Sequence, residues 1–176
     1  DRAGHHARAQ ALWRRAVQRL PQFAHAAGHL ALVMPPEEGR QLLQRIMLTS
    51  DDPEYRAYLG IIDNKLLAGS GDAHIVAAKS AFDALMKKYA LAFADHAGWF
   101  YLTVAKDSAR AVEVAELNLK NRKTTESYEL LVQALIAAGD KDEACERAEE
   151  GLRLKYAVVA LKAVAADALA GCGKTD

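Results

Sequence analysis

Cysteine, proline and long apolar runs are scarce in this sequence of 176 residues, and each scarcity excludes a class of protein. The two cysteines, Cys145 and Cys172, are too few for a disulfide framework, and nothing in the sequence indicates that they pair. A reducing compartment such as the cytoplasm is therefore favoured. A periplasmic or exported protein stays open, because a chain that begins at Asp1 leaves the native N-terminus undetermined. No run of 18 apolar residues exists, so we expect a soluble protein without membrane insertion.

An excess of charge of one sign is also missing. The chain has 23 basic and 23 acidic residues, for a formal net charge of zero. This balance removes the usual electrostatic basis for non-specific nucleic-acid binding, so no nucleic-acid partner is expected.

Only four prolines interrupt a sequence that is 51% hydrophobic and dominated by alanine and leucine. Apolar residues recur at three- and four-residue steps, which predicts about ten helices and no sheet. The expected helices cover residues 3–19, 22–33, 36–49, 53–68, 73–89, 91–105, 107–120, 125–138, 140–155 and 157–170. Their predicted caps are Asp52, Asp72, Thr124 or Thr125, Asp140 or Asp142, and the terminating Gly139.

The C-terminal half repeats itself with a period of 34–35 residues. Asp107, Ala109, Leu117, Leu119 and Lys120 return as Asp142, Ala144, Leu152, Leu154 and Lys155, and Ala134, Leu135 and Gly139 return as Ala168, Leu169 and Gly173. Self-similarity at this period indicates a solenoid, in which each unit buries its apolar face against its neighbours.

The repeating units resemble tetratricopeptide repeats. The second-helix pattern of that family, small-x3-aromatic-x2-small-x4-Pro, is present as Ala9, Trp13, Ala16 and Pro21, and its first-helix pattern as Tyr128, Leu131, Val132 and Leu135. The resemblance implies a right-handed α-solenoid of about five antiparallel helix pairs, in a single domain over residues 1–176. The match is best over 107–173 and irregular over 53–100, where Asp63 replaces a preferred aromatic residue. Because half-repeats stand at both ends, we expect a fragment of a longer array.

The same resemblance implies a function. First helices of such arrays line a concave groove that accepts a peptide or a partner helix, so the expected protein is a non-enzymatic protein–protein or peptide-binding scaffold. The candidate groove residues are His25, Glu54, Asn64, Lys65, Tyr101, Glu129, Gln133 and Asp167. Only Asn64 and Lys65 resemble the family's carboxylate clamp, so recognition of a C-terminal carboxylate is not expected. The acids among the candidate groove residues favour a basic or mixed peptide. An alternative is the helper region of a longer enzyme or of a transport or secretion component.

Residues 168–175 match the permissive phosphate-loop pattern, but a helix is expected before them where that loop needs a strand. The repeat makes Gly173 the counterpart of Gly139, so a structural turn is the preferred interpretation. No catalytic arrangement is recognisable, and no cofactor is predicted. The acidic surroundings of Cys145 disfavour a thiolate, so this residue is predicted to pack.

His25 and His29 lie four residues apart and share a helix face, where His5 or His6 could join them around a metal ion. No acidic ligand stands at a helical spacing beside them, so groove lining or plain surface is the preferred interpretation and no metal is predicted.

The aromatic run Trp99-Phe100-Tyr101 cannot turn all its rings to one side of a helix. Two rings are expected to pack, which leaves Tyr101 or Trp99 near a surface as a possible ligand anchor. Core packing of the run is the competing interpretation.

Charge is unevenly placed along the chain. Residues 1–20 hold five arginines and one acid, whereas residues 140–150 hold six acids and two basic residues. Two solvated faces would explain this distribution. The alternative is self-association, in which the basic N-terminal end of one copy meets the acidic C-terminal region of the next.

Overall fold

A computed structural model describes residues 6–174, and every helix or strand assigned within them is an α-helix. The nine helices of this stretch are α1 (His6–Arg19), α2 (Ala24–Val33), α3 (Pro36–Ile46), α4 (Pro53–Leu66), α5 (Asp72–Thr103), α6 (Ser108–Asn121), α7 (Thr125–Ala138), α8 (Lys141–Leu152) and α9 (Val159–Gly171). The expected all-α class is confirmed. Within residues 6–174, none of the helices is at once long enough and apolar enough to pass through a bilayer.

The fifth and sixth expected helices form one element, α5, which corrects the expected number of about ten. The backbone of α5 leaves the helical conformation at Tyr89, where φ is −141° and ψ is 45°. Residues 73–97 contain neither glycine nor proline, so no residue supplies a turn or a helix end. The break therefore falls where the sequence placed the boundary, but without a loop.

Side chains cap α4, α7 and α8 at residues that the sequence predicted. The Asp52 carboxylate accepts a hydrogen bond of 2.9 Å from the backbone N–H two residues on. Of the paired alternatives, Thr124 rather than Thr125 caps α7, and Asp140 rather than Asp142 caps α8; each accepts a 3.3 Å bond from the N–H three residues on. These caps satisfy N–H groups that a helix start otherwise leaves without a partner.

The chain forms two compact units, one up to Phe82 and the second from Asp83 onward. Their boundary lies inside α5, so no loop separates them along the chain. In the first unit, α1 packs on α2, α2 on α3, and α3 on α4. The core of this unit gathers buried side chains of α2, α3 and α4, among them Ala27, Leu43 and Leu59.

Gly60 and Gly71 bring α4 and the start of α5 into backbone contact. A Cβ added to Gly71 would lie 1.9 Å from the Gly60 carbonyl oxygen, so only glycine fits unless the backbone moves. We expect Gly71→Ala to lower the free energy of unfolding by about 1–3 kcal/mol, the usual cost of overpacking. Urea unfolding would measure this loss. Gly171→Ala is the control, because its Cβ would meet nothing within 4 Å; equal losses would contradict the close approach.

In the second unit, α6 packs on α7, α7 on α8, and α8 on α9. Helix α7 also contacts α9, so the first helices of two successive pairs lie side by side. The pattern residues Tyr128, Leu131, Val132 and Leu135 are all buried, with at most 7% of any side chain exposed. The repeat assignment therefore placed the core face of α7 correctly.

The repeat also extends to the turns. Gly139 and Gly173 have φ of 85° and 79°, in the left-handed region that glycine adopts without steric cost. The same backbone bonds recur 34 residues apart: Asp140 N–H donates to the Leu135 oxygen, and Lys174 N–H to the Leu169 oxygen. The phosphate-loop match at 168–175 thus begins inside α9 and reaches a repeat turn; its Thr175 lies outside the described residues.

The prediction that the cysteines do not pair is wrong, because a disulfide joins Cys145 to Cys172. Cys145 lies on the buried face of α8, and Cys172 follows the last residue of α9. Packing of α9 on α8 brings their Cα atoms to 6.4 Å, a separation that a disulfide spans. The sequence separation of 27 residues hides this proximity.

Candidate functional site

A groove of about 650 Å³ in the second unit is the site where predicted residues meet. Its lining comes from the end of α5, the turn to α6, the first residue of α6, the C-terminal half of α7 and the middle of α9. Two of the predicted residues, Gln133 on α7 and Asp167 on α9, line it together. They stand 34 residues apart, at the same repeat position, which explains why adjacent helices present them to one groove.

The groove mixes charge with apolar surface. Lys106 and Asp167 are both exposed and carry opposite charges. Two aliphatic residues, Ile136, which is 41% exposed, and the partly exposed Val164, also line it. Such a surface can hold a charged side chain of either sign next to an apolar one.

Lys106 lines the groove but was not among the predicted groove residues. Its backbone conformation is unusual. Its φ is 54°, a left-handed conformation that non-glycine residues seldom adopt. The following N–H, of Asp107, donates to the Tyr101 oxygen at 2.9 Å and fixes the turn between α5 and α6. Helix caps and repeat spacing give no signal for this conformation, so sequence reasoning could not place Lys106 in the groove.

Glu129 and Tyr101, both predicted to line the groove, are buried instead, with 1% and 0% of their surface exposed. The Gln133 side chain reaches back to Glu129, donating a hydrogen bond of 3.4 Å to the carboxylate. Glu129 is therefore not exposed to solvent in the groove, and its carboxylate holds the Gln133 side chain in position.

Tyr101 belongs to the core of the second unit. Its hydroxyl donates to the Asp83 carboxylate, and the Arg110 guanidinium lies 5.7 Å from the ring centre. Burial, followed by the hydrogen bond and charge of Asp83, raises the pKa of Tyr101 to about 12, so the hydroxyl keeps the proton that it donates. A signal was available in the sequence, because Tyr101 stands 34 residues before Leu135, a predicted core position.

The other predicted residues with ring contacts lie in the first unit. The Trp13 ring stacks on His29 at 5.0 Å, and the His25 ring meets His29 edge-on at 4.5 Å. His29 is also 6.0 Å from Tyr58, whose hydroxyl donates to the Glu54 carboxylate at 2.6 Å. Burial, then the nearby Glu54 charge and bond, raises the pKa of Tyr58, so this contact holds at ordinary pH. His25 and Glu54 thus belong to one aromatic cluster of the first unit.

Asn64 and Lys65 have separate roles. The Asn64 side chain accepts from the Gly71 N–H at 2.7 Å and donates to the Asp72 carboxylate at 2.9 Å. It therefore braces the turn between α4 and α5, where Asp72 is the first helical residue rather than a preceding cap. Lys65 is exposed on α4.

The histidines give no metal site in the part of the chain that is described. Residues 6–174 contain no group of three histidine, cysteine, aspartate or glutamate side chains arranged to hold an ion. The rings of His25 and His29 are engaged with Trp13 and each other. His5, named as a possible further ligand, lies outside the described residues, and the side chain of His6 does too.

The architecture resembles solved helical-repeat proteins. A thermophilic TPR protein from Thermus thermophilus is 18% identical, with a TM-score of 0.65 over 96% of this chain and 92% of that one. MamA from Desulfovibrio magneticus RS-1, as residues 41 to the end, is 19% identical, with a TM-score of 0.54 over 95% and 87% of the two chains. A double mutant of MamA RS-1 gives 0.53 at 19% identity, over 95% and 86%. No protein-family model and no curated protein matches the sequence. The fold is therefore a TPR-like α-solenoid, as the repeat pattern predicted.

Proposed function

We propose that this protein is a protein-interaction scaffold and that the groove of its second unit binds a peptide segment of a partner. The observation that carries the proposal is the convergence of α5, α7 and α9 on one groove of about 650 Å³. That volume lies within the usual range of binding sites, about 300–1,000 Å³. The TPR-like fold supports the proposal, since helical solenoids present extended surfaces on which partners bind.

Buried contacts hold the groove-lining part of α7 in place. Helix α7 is held by buried leucines, and its groove-facing Gln133 is hydrogen-bonded to the buried Glu129. Side chains carried by packed helices keep their positions, so a peptide would meet a preformed surface rather than order it.

The groove chemistry specifies the peptide. Asp167 would pair with a lysine or arginine of the ligand, and Lys106 with an acidic residue further along. An apolar side chain between them would cover Ile136 and Val164. The expected ligand is therefore a short segment of mixed charge with an apolar residue in its middle.

Selection of phage-displayed random peptides on the immobilised protein tests this function. We expect enrichment of basic or mixed-charge sequences that bind Asp167→Lys at least about tenfold more weakly than wild type, a loss of about 1.4 kcal/mol. Synthetic copies of the selected peptides, titrated by fluorescence anisotropy, would give the ratio. Glu116→Lys is the control, because it makes the same charge reversal on an exposed residue that does not line the groove.

Two results would refute the groove assignment. One is a set of selected peptides that bind wild type and Asp167→Lys equally. The other is an equal loss in Asp167→Lys and Glu116→Lys, which would show that net charge rather than the groove controls binding.

A further inference from the structure

One face of α1 is occupied by arginines that no described acid neutralises. Arg8, Leu12, Arg15 and Arg19 follow one another at steps of four, three and four residues, so they share a face of the helix. All four are exposed, and Leu12 is 53% exposed. The opposite face holds Trp13 and packs on α2. This set of four residues is called the arginine face below.

The positive charges of the arginine face repel one another and so destabilise α1. No aspartate or glutamate occurs between residues 6 and 36, and none of its three arginines takes part in an ion pair within the described residues. Arg15 and Arg19 are like charges four residues apart, an arrangement that destabilises a helix by about 0.2–0.5 kcal/mol. An anionic partner would turn this repulsion into attraction.

Helix α8 carries a surface of opposite charge with the same spacing. Asp142, Glu146 and Glu149 follow at steps of four and three residues. Asp142 and Glu146 are exposed and form no ion pair within the described residues, whereas Glu149 contacts Lys174 and Arg153. These three residues are called the acidic face below.

The remaining α8 acids are already neutralised or engaged. Arg147 pairs with Glu143 at 3.2 Å and with Glu150 at 3.0 Å on another side of the helix. Asp142 and Glu146 of the acidic face are therefore the α8 carboxylates available to a partner.

We propose that the arginine face of one copy docks on the acidic face of a second copy. Arg15 and Arg19 are four residues apart, as are Asp142 and Glu146, which corresponds to about 6 Å along each helix. Guanidinium groups on one helix can therefore meet carboxylates on the other in register. The two faces differ, so the contact is head-to-tail and each pair leaves one face of each kind free for a further copy.

The association is expected to be weak and sensitive to salt. Exposed ion pairs contribute about 0.2–1 kcal/mol each, so a few of them hold copies together only at high protein concentration. Sedimentation equilibrium at low ionic strength should show an average mass above that of the monomer, rising with concentration. Addition of NaCl to about 1 M, where the Debye length is about 3 Å, should restore the monomer.

Neutral substitutions separate the two faces. Arg15→Gln/Arg19→Gln removes charge from the arginine face, and Asp142→Asn/Glu146→Gln removes it from the acidic face. Each double variant alone should associate at least tenfold more weakly than wild type. An equimolar mixture should form 1:1 pairs and nothing larger, because each variant keeps the one intact face that the other lacks.

Control substitutions of exposed charges elsewhere, Lys162→Gln and Glu116→Gln, should leave the wild-type association unchanged. The proposal fails if wild type is monomeric at low salt and high concentration, or if association survives in about 1 M NaCl. It also fails if wild type associates but the mixture of double variants stays monomeric. These outcomes are independent of peptide binding in the groove.

Discussion

Cys172→Ala is expected to lower the free energy of unfolding of the second unit by about 3.5 kcal/mol, because a loop of 27–28 residues is no longer closed in the unfolded chain. Helix α9 packs only on α7 and α8 among the described helices. The disulfide therefore ties α9 to the rest of the unit at the end where its last turn finishes. Loss of the disulfide should therefore increase local opening of α9 more than that of the other helices.

Cys172 is the better residue to replace. It is only partly buried, whereas Cys145 is 3% exposed and packs in the core, so truncating Cys145 would also leave a small void. Native-state hydrogen exchange followed by mass spectrometry would locate the effect. Amides of α9 should exchange faster in Cys172→Ala, and amides of α3, in the first unit, should not change.

Reduction of the wild-type protein with a dithiol should reproduce the effect of the substitution, since it converts the disulfide to two thiols as the reductant becomes a disulfide. Cys172→Ala lacks the cross-link, so the same treatment should not alter its stability. Alkylation of both cysteines in native, unreduced protein would contradict the pairing. The Cys145–Cys172 disulfide would persist in an oxidising compartment, contrary to the reducing one that the low cysteine content favoured.

Local signals in the sequence were enough to predict most helices. Polar caps such as Asp52 and Thr124 and the glycine of the left-handed turn at Gly139 act within a few residues, so their effect is visible without the fold. The α5 break shows the limit of this reasoning. Residues 73–97 contain neither glycine nor proline, yet the backbone at Tyr89 is non-helical.

The sequence shows where the chain departs from the repeat pattern, but it does not show the physical reason for each departure. Asp63, where an aromatic residue was expected, is 4% exposed and lies between Arg40 at 3.0 Å and His74 at 3.6 Å. These partners come from α3 and α5, so only the packed structure shows why a carboxylate is retained there. The disulfide was missed for the same reason, since its two cysteines meet only through the packing of α9 on α8.

The peptide groove stays a prediction. Of its eight candidate residues, which the family resemblance supplied, Gln133 and Asp167 share a repeat position and line the groove of the second unit. Tyr101 and Glu129, which the resemblance implied would line the groove, are buried, because they lie on the sides of their helices that face the core. The buried position of Leu135, one repeat after Tyr101, would have identified that side for Tyr101.

Leu131→Ala is expected to lower the free energy of unfolding by about 2–5 kcal/mol, the range for truncating a large aliphatic residue in a core. Leu131 is 1% exposed on α7, the helix that contacts α6, α8 and α9. The cavity would therefore open at the centre of the second unit. Urea unfolding followed by circular dichroism would measure the change, and hydrogen exchange should show faster opening of α7 and its neighbours.

Ile136→Ala, five residues further along the same helix, is the matched control. Ile136 is 41% exposed and lines the groove. Its truncation should therefore lower the free energy of unfolding by less than about 1 kcal/mol, and it should also weaken the binding of the selected peptides. The two substitutions remove aliphatic side chains of equal size from opposite sides of α7. Equal destabilisation by both would show that the groove side of α7 is packed rather than open, and the proposed binding surface would then be wrong.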